Sequence, residues 1–246
     1  MTGAKDHIVK SFDDEIERLD TALIQMGGLA EAQLSDAITA FSKRDGELAE
    51  RVVAGDARID AKYAEIESQV VRLLALRQPV ASDLRRVVAA LRVSGDLERI
   101  GDYAANVAKR TLALTQMPAV RPASGIPRMG RLVQQIIKDV LDAWSDNDAN
   151  RAYLAWSRDE EVDELYNSLF RELLTYMMED PRNISACTHI LFMAKNIERM
   201  GDHATNIAET LYFVVNGTPL REARAKADQT SYAVFDPADI PPPRIP

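Results

Sequence analysis

Apolar residues recur along this chain at intervals of three and four, and no run alternates apolar with polar residues as a half-buried strand would. Six amphipathic helical stretches follow. The first, about Asp6 to Arg44, carries Phe12, Ile16, Leu19, Leu23 and Met26 on one face. Asp45 is placed to cap the second, which reaches about Arg77 on the stripe Val52, Ile59, Tyr63, Ile66, Val70 and Leu73. Pro79 marks a tight turn into the third, which lasts to about Thr115. "TQMPAVRPASGIP" then breaks the period with three prolines and a glycine. The fourth stretch (about Pro127 to Ser145), the fifth (about Asp148 to Met178) and the sixth (about Pro181 to Val215) restore it. Asp180 followed by Pro181 suits the cap and first turn of the sixth.

The fold class is therefore all-α: two tandem, pseudo-symmetric three-helix bundles in up-down order, each burying its own stripe. Residues 1–116 form the first bundle, 117–126 the linker and 127–216 the second. A Pro-rich tail over 217–246, ending "DIPPPRIP", is predicted to be disordered.

Polar positions repeat as well. "DLERIGDYAANVAKR" from Asp96 returns one hundred residues later as "NIERMGDHATNIAET" from Asn196. An offset of 103 lays the second stretch over the fifth and matches Asp56 and Asp60 with Asp159 and Asp163. Glu98, Asp102 and Asn106 stand at i, i+4, i+8, so they form one column, each about 6 Å above the last. Glu198, Asp202 and Asn206 form the second column. Like charges so spaced destabilise an isolated helix by about 0.2–0.5 kcal/mol unless a cation, arginine or metal, lies between them. Counted from the turn at Pro79, Asp56/Asp60 and Glu98/Asp102 both lie about 21 residues, or roughly 30 Å, along antiparallel helices. The second half gives the same result from Pro181. Each bundle thus presents four carboxylates and an amide at one level, a donor set for Mg²⁺, Mn²⁺ or Fe, with Zn²⁺ less favoured.

The apolar seam of the third helix, Ala90, Val93, Leu97, Ile100, Ala104 and Ala108, lies nearly opposite these acids. That places them in a surface groove, where a site would be solvent-accessible and exchangeable, with more than one ion as an expectation. The bland alternative is a solvated acidic face paired with arginine; four level pairs in two copies favour metal over it. Gly101 and Gly201 fall on the apolar seam, where glycine permits close helix packing. Arg99 and Arg199 are placed to orient the acids. His203, whose counterpart is Tyr103, is expected to be exposed, and Cys187 to be a small buried hydrophobe.

Composition narrows the function classes. A net charge of −8 argues against a nucleic-acid surface. One cysteine excludes an internal disulfide and, with no apolar leader, suggests a reducing, cytoplasmic setting. No stretch approaches the roughly 20 apolar residues of a membrane span, so membrane association would be peripheral. A ferritin-like di-metal oxidase needs Glu-x-x-His pairs, yet Ala4, Ala186 and Met200 stand three before the histidines. There is no G-x-x-x-x-G-K and no nucleophile with its base, so no enzymatic activity is expected. A metal-free helical scaffold, its acids binding basic patches on partners, stays open as the alternative.

The doubled "ERIGDYAANVA" and "ERMGDHATNIAE", the acidic pairs Asp56/Asp60 and Asp159/Asp163, and "RQPVASDLR" at the first turn resemble the PhoU family over about Asp6 to Asn216. The resemblance implies paired three-helix bundles, multinuclear metal clusters on surface acids, oligomerisation, here as a homodimer, and no catalysis. It also implies a negative regulator of the phosphate-starvation response, coupling the ATPase of the high-affinity phosphate transporter to a membrane sensor histidine kinase. The implied ligands are Asp56, Asp60, Glu98, Asp102 and Asn106, with Asp159, Asp163, Glu198, Asp202 and Asn206.

Overall fold

Two aspartates 103 positions apart start helices in the same way, extended in backbone with a carboxylate turned back on the first turn. Asp45 Oδ1 accepts from the Leu48 N–H at 2.9 Å, and Asp148 Oδ1 from those of Asn150 and Arg151 at 2.9 and 3.1 Å. The computed structural model describes the backbone of residues 3–221 and, except at 121 and 122, the side chains of residues 13–221. Its helices are α1 (Gly3–Lys43), α2 (Gly46–Arg77), α3 (Ala81–Thr115), α4 (Gly125–Asp146), α5 (Ala149–Trp156), α6 (Asp159–Glu179) and α7 (Ile184–Asn216). Short 3₁₀ turns cover Arg121–Ser124 and Pro181–Asn183, and no strand occurs among the described residues. The disordered tail expected beyond Gly217 falls, from residue 222 on, outside them.

The architecture is the expected one, α1–α3 in one bundle and α4–α7 in the other, with differences at the breaks. The single fifth stretch is two helices, interrupted at Ser157 and Arg158. Asp159, Glu160 and Glu161 follow at once, and three acids in a first turn favour a new helix N-terminus over continuation. Arg158, at the break, pairs with Asp139 of α4 at 3.3 Å. The fourth helix begins at Gly125, since Pro127 in a first turn needs no N–H partner. Asp180 does cap its turn, accepting from Arg182 N–H at 3.0 Å, but the turn is 3₁₀ before α7 begins.

The expectation that each bundle buries only its own stripe needs correcting. One apolar core runs through both, because α1 lies against α4 and α3 against α7. Two glycines permit the α1–α4 approach. A Cβ on Gly27 would stand 2.7 Å from Leu141 Cδ1, and one on Gly130 would stand 2.6 Å from both Cδ1 and Cγ1 of Ile38. These contacts are one contact seen twice: the 103 offset carries Gly27 to Gly130 and Ile38 to Leu141. The two halves thus meet as a dimer within one chain would, each placing a large side chain over the other's glycine. No described helix is long and apolar enough to cross a membrane.

Candidate functional site

The first acidic cluster is built where α3 lets α2 come close. A Cβ on Gly101 would stand 2.7 Å from Ile59 Cδ1 and 3.3 Å from Asp56 Oδ1, so glycine there seats Asp56 directly on α3. The buried side chain of Gln33, from α1, donates to Asp56 Oδ1 at 3.0 Å and to the Gly101 carbonyl at 3.2 Å. Arg99, on the outer side, lies 3.4 Å from Glu98 Oε2 and 3.0 Å from Asp102 Oδ2. Burial raises the pKa of Asp56, Gln33 opposes it, and the charges of Asp102 and Asp60 add to the rise. Burial likewise raises that of Glu98, then Asp102, against Arg99, then Asp60 and Asp56. Asp56, Asp60, Glu98 and Asp102 therefore share one electrostatic neighbourhood, Asp60 at its exposed edge. Asn106 is half-buried one turn further along α3.

The second cluster has the same plan but a different cover. Asp159, Asp163 and Glu198 are 3%, 3% and 5% exposed, so the surface groove expected for these acids is closed in this half. Lys195 supplies the reason: its Nζ donates to Glu198 Oε1 at 2.9 Å and lies 5.0 Å from the Tyr166 ring centre, roofing the acids. The matching residue in the first half is Gly95, which cannot roof anything. Burial pushes the Glu198 carboxyl up to about 7, against Lys195 and with help from Asp202 and Asp163. Its Oε2 is buried with no hydrogen-bond partner. At Gly201 a Cβ would meet Val162 Cγ1 at 3.5 Å and Asp159 Oδ1 at 3.6 Å, ordinary contacts, so the close packing expected of both glycines is tight only at Gly101.

Two expectations change at the α3–α7 seam. His203 is not exposed: its Nδ1 lies 2.8 Å from Asp96 Oδ1 and its ring 5.7 Å from that of Tyr103. Asn206 donates to the same Asp96 oxygen at 3.3 Å, which turns its amide toward α3 rather than the acids of its own column. Cys187 is buried, with its thiol pKa raised by burial, as a small hydrophobe should be.

As the side chains stand, no three His, Cys, Asp or Glu among the described residues converge closely enough to hold a metal ion. The donor chemistry nevertheless fits a hard cation, and the orphaned Glu198 Oε2 is a buried oxygen lacking a partner. Sequence reasoning missed Gln33, Lys195 and Asp96. Lys195 was legible as the i−3 neighbour of Glu198. Gln33 was legible by the same count used for the acids, since the short connection at Arg44 and Asp45 sets it level with Asp56 on the antiparallel neighbour. Replacing Gln33 with Ala leaves the Gly101 carbonyl and Asp56 without their buried donor, so a loss of about 1–3 kcal/mol is expected in urea unfolding. An unchanged midpoint would show that water replaces the amide freely.

The sequence profile of the PhoU domain matches twice, over residues 23–111 and 126–211, one match per bundle. The chain belongs to the PhoU family. A phosphate-specific transport system accessory protein PhoU homolog of Caulobacter vibrioides is 56% identical over 227 residues, 92% of this chain and 99% of that one. One from Xylella fastidiosa is 50% identical, over 94% of this chain and 95% of its own. The crystal structure of PhoU from Pseudomonas aeruginosa superposes with a TM-score of 0.82 at 41% identity, covering 84% of this chain and all of that one. The phosphate transport system regulatory protein PhoU from Streptococcus pneumoniae gives 0.80 at 31% identity, over 86% of this chain. Each PhoU match spans a bundle whose α2–α3 or α6–α7 pair carries an acidic cluster.

Proposed function

We propose that this chain is a non-enzymatic, cytoplasmic accessory protein of phosphate transport that acts as a negative regulator of phosphate-starvation signalling. In this reading it works as a homodimer, contacting the transporter's ATPase subunit and a sensor histidine kinase. The observation that carries it is the identity of 56% along 92% of the chain to a phosphate-specific transport system accessory protein. Function in such a protein is partner choice, so the helical faces matter more than any pocket.

Metal binding belongs to the same proposal. Asp56, Asp60, Glu98, Asp102 and Asn106 would hold Mg²⁺, Mn²⁺ or Fe in the first bundle, and Asp159, Asp163, Glu198 and Asp202 in the second, where Asn206 is turned to Asp96 instead. The ion would supply charge neutralisation, cross-bracing α2 to α3 and α6 to α7 and stiffening a docking face. The support is the shared electrostatic neighbourhood of four carboxylates in the first bundle and the unpartnered Glu198 oxygen in the second. The metal-free adaptor keeps one observation in its favour, since Lys195 already gives the second cluster a cation.

The test is thermal unfolding of EDTA-treated protein with each of Mg²⁺, Mn²⁺, Fe²⁺ and Zn²⁺ added back. Saturation to 100 times the dissociation constant adds about 2.7 kcal/mol per site, an upward shift of a few degrees that Asp102→Asn with Asp202→Asn should abolish. Equal shifts in that variant reject the ligand assignment and leave the adaptor. Recovery of the transporter ATPase and the kinase from cells, with and without phosphate, tests the regulatory half. Recovery indifferent to phosphate removes it.

A further inference from the structure

Most ion-paired arginines of this chain sit away from one seam. Arg77 meets Glu15, Arg86 meets Asp20, Arg151 meets Asp142, Arg158 meets Asp139 and Arg182 meets Asp180. Along the antiparallel α3–α7 seam, where Asp96 is already held by His203 and Asn206, four arginines stand without an ion pair among the described residues. Arg85, Arg92 and Arg110 on α3 and Arg199 on α7 meet no carboxylate among the described residues, in a protein of net charge −8. Arg85 Nε is buried with no hydrogen-bond partner. Arg110 lies 4.3 Å from the Phe192 ring centre, and Arg199 5.8 Å from that of Tyr103. Burial alone, with no acid beside it, lowers the Arg110 pKa.

Apolar surface accompanies the charge. Leu84, Val88 and Phe192 are 40%, 37% and 50% exposed. At one end of the seam Leu84, Arg85, Val88, Arg92 and Phe213 line a groove of about 160 Å³. A basic groove with open aliphatic and aromatic walls suits an extended segment bearing carboxylates and large apolar side chains.

We propose that the occupant is this chain's own segment Asp228–Ile240, "DQTSYAVFDPADI", docked along the α3–α7 seam. Its charged residues are Asp228, Asp236 and Asp239, with no basic residue, and its apolar anchors are Tyr232, Val234, Phe235 and Ile240. The described chain ends beside the groove: at Gly217, four residues before Arg221, a Cβ would stand 3.8 Å from the Arg85 guanidinium. Six tether residues, 222–227, reach up to about 20 Å, enough to bring Asp228 to the groove beside Gly217. Thirteen extended residues span roughly 43 Å, against roughly 37 Å along α3 from Arg85 to Arg110. This segment lies beyond the two PhoU-domain matches, which end at residue 211. Docked, it shields the seam from other acidic, aromatic-bearing segments until one displaces it.

A short tether gives an effective concentration on the order of 1 mM. A segment with a free affinity of only about 100 μM would then be docked about nine-tenths of the time. Hydrogen exchange of the full chain, read by mass spectrometry, should accordingly show residues 228–240 exchanging roughly tenfold slower than an unstructured peptide. Arg85→Glu with Arg92→Glu should remove the protection, as should Asp236→Arg with Asp239→Arg; all four changes together should restore part of it. Exchange of 228–240 at the unstructured rate in the unaltered chain overturns the proposal. So does protection that ignores the charge reversals, and so does protection that appears only as concentration rises and a dimer forms, which would assign the groove to a second copy.

Discussion

Gly130→Leu is expected to lower unfolding stability by about 3 kcal/mol or more. Even the first added carbon meets two atoms of Ile38 at 2.6 Å, and one of them, Cγ1, is close to the backbone and cannot swing away. Ile38 is itself buried between the bundles, so relief requires α1 and α4 to separate along a core shared by both halves. Ile38→Ala added to Gly130→Leu should recover part of the loss, since the clash is between those two side chains. Additive losses in that double-mutant cycle would locate the damage elsewhere. Gly28 is the control one turn-face away from Gly27. It has nothing within 4 Å of a Cβ, so Gly28→Ala should stabilise the chain by about 1 kcal/mol through helix propensity alone.

In the metal-free chain, Glu198→Gln is expected to raise stability at pH 8 by up to about 3 kcal/mol and to leave it nearly unchanged near pH 4.5. The folded pKa of Glu198, about 7, lies above the ordinary 4.5. Between those values the folded chain therefore holds a proton that the unfolded chain has released, and stability falls as pH rises from 4.5 to 7. Above 7 the whole penalty is present, and the difference between 4.5 and about 7 corresponds to about 3 kcal/mol. Glutamine stays neutral throughout. Urea unfolding in EDTA at pH 5 and pH 8 reads the difference, and an equal offset at both would mean that the carboxylate is not strained by ionisation. With a bridging cation present the penalty should shrink, because the ionised form is then the one that is held.

The α2–α3 and α6–α7 levels were legible because a tight turn fixes the register of adjacent antiparallel helices. Counting from Pro79 and Pro181 placed Asp56/Asp60 level with Glu98/Asp102 and Asp159/Asp163 level with Glu198/Asp202, and the charges of Asp56 and Asp60 do act on Glu98, as that of Asp163 acts on Glu198. Burial of the second cluster was not legible. The offset that aligned the acids also aligned Lys195 with Gly95, but only packing shows that the lysine reaches over Glu198 and Tyr166. The break at Ser157 was likewise hidden, because the helical period runs on past it.

The sequence by itself determined the all-α class, six rods in two copies, the buried stripes and the pairing of acidic positions within each copy. Those depend on periodicity, caps and one short turn, all local in the chain. Tertiary structure alone decided that α1 meets α4 through reciprocal glycine contacts and that His203 answers to Asp96. These link helices with no short connection between them, so their register is set by which side chains fit together, and no local spacing encodes that.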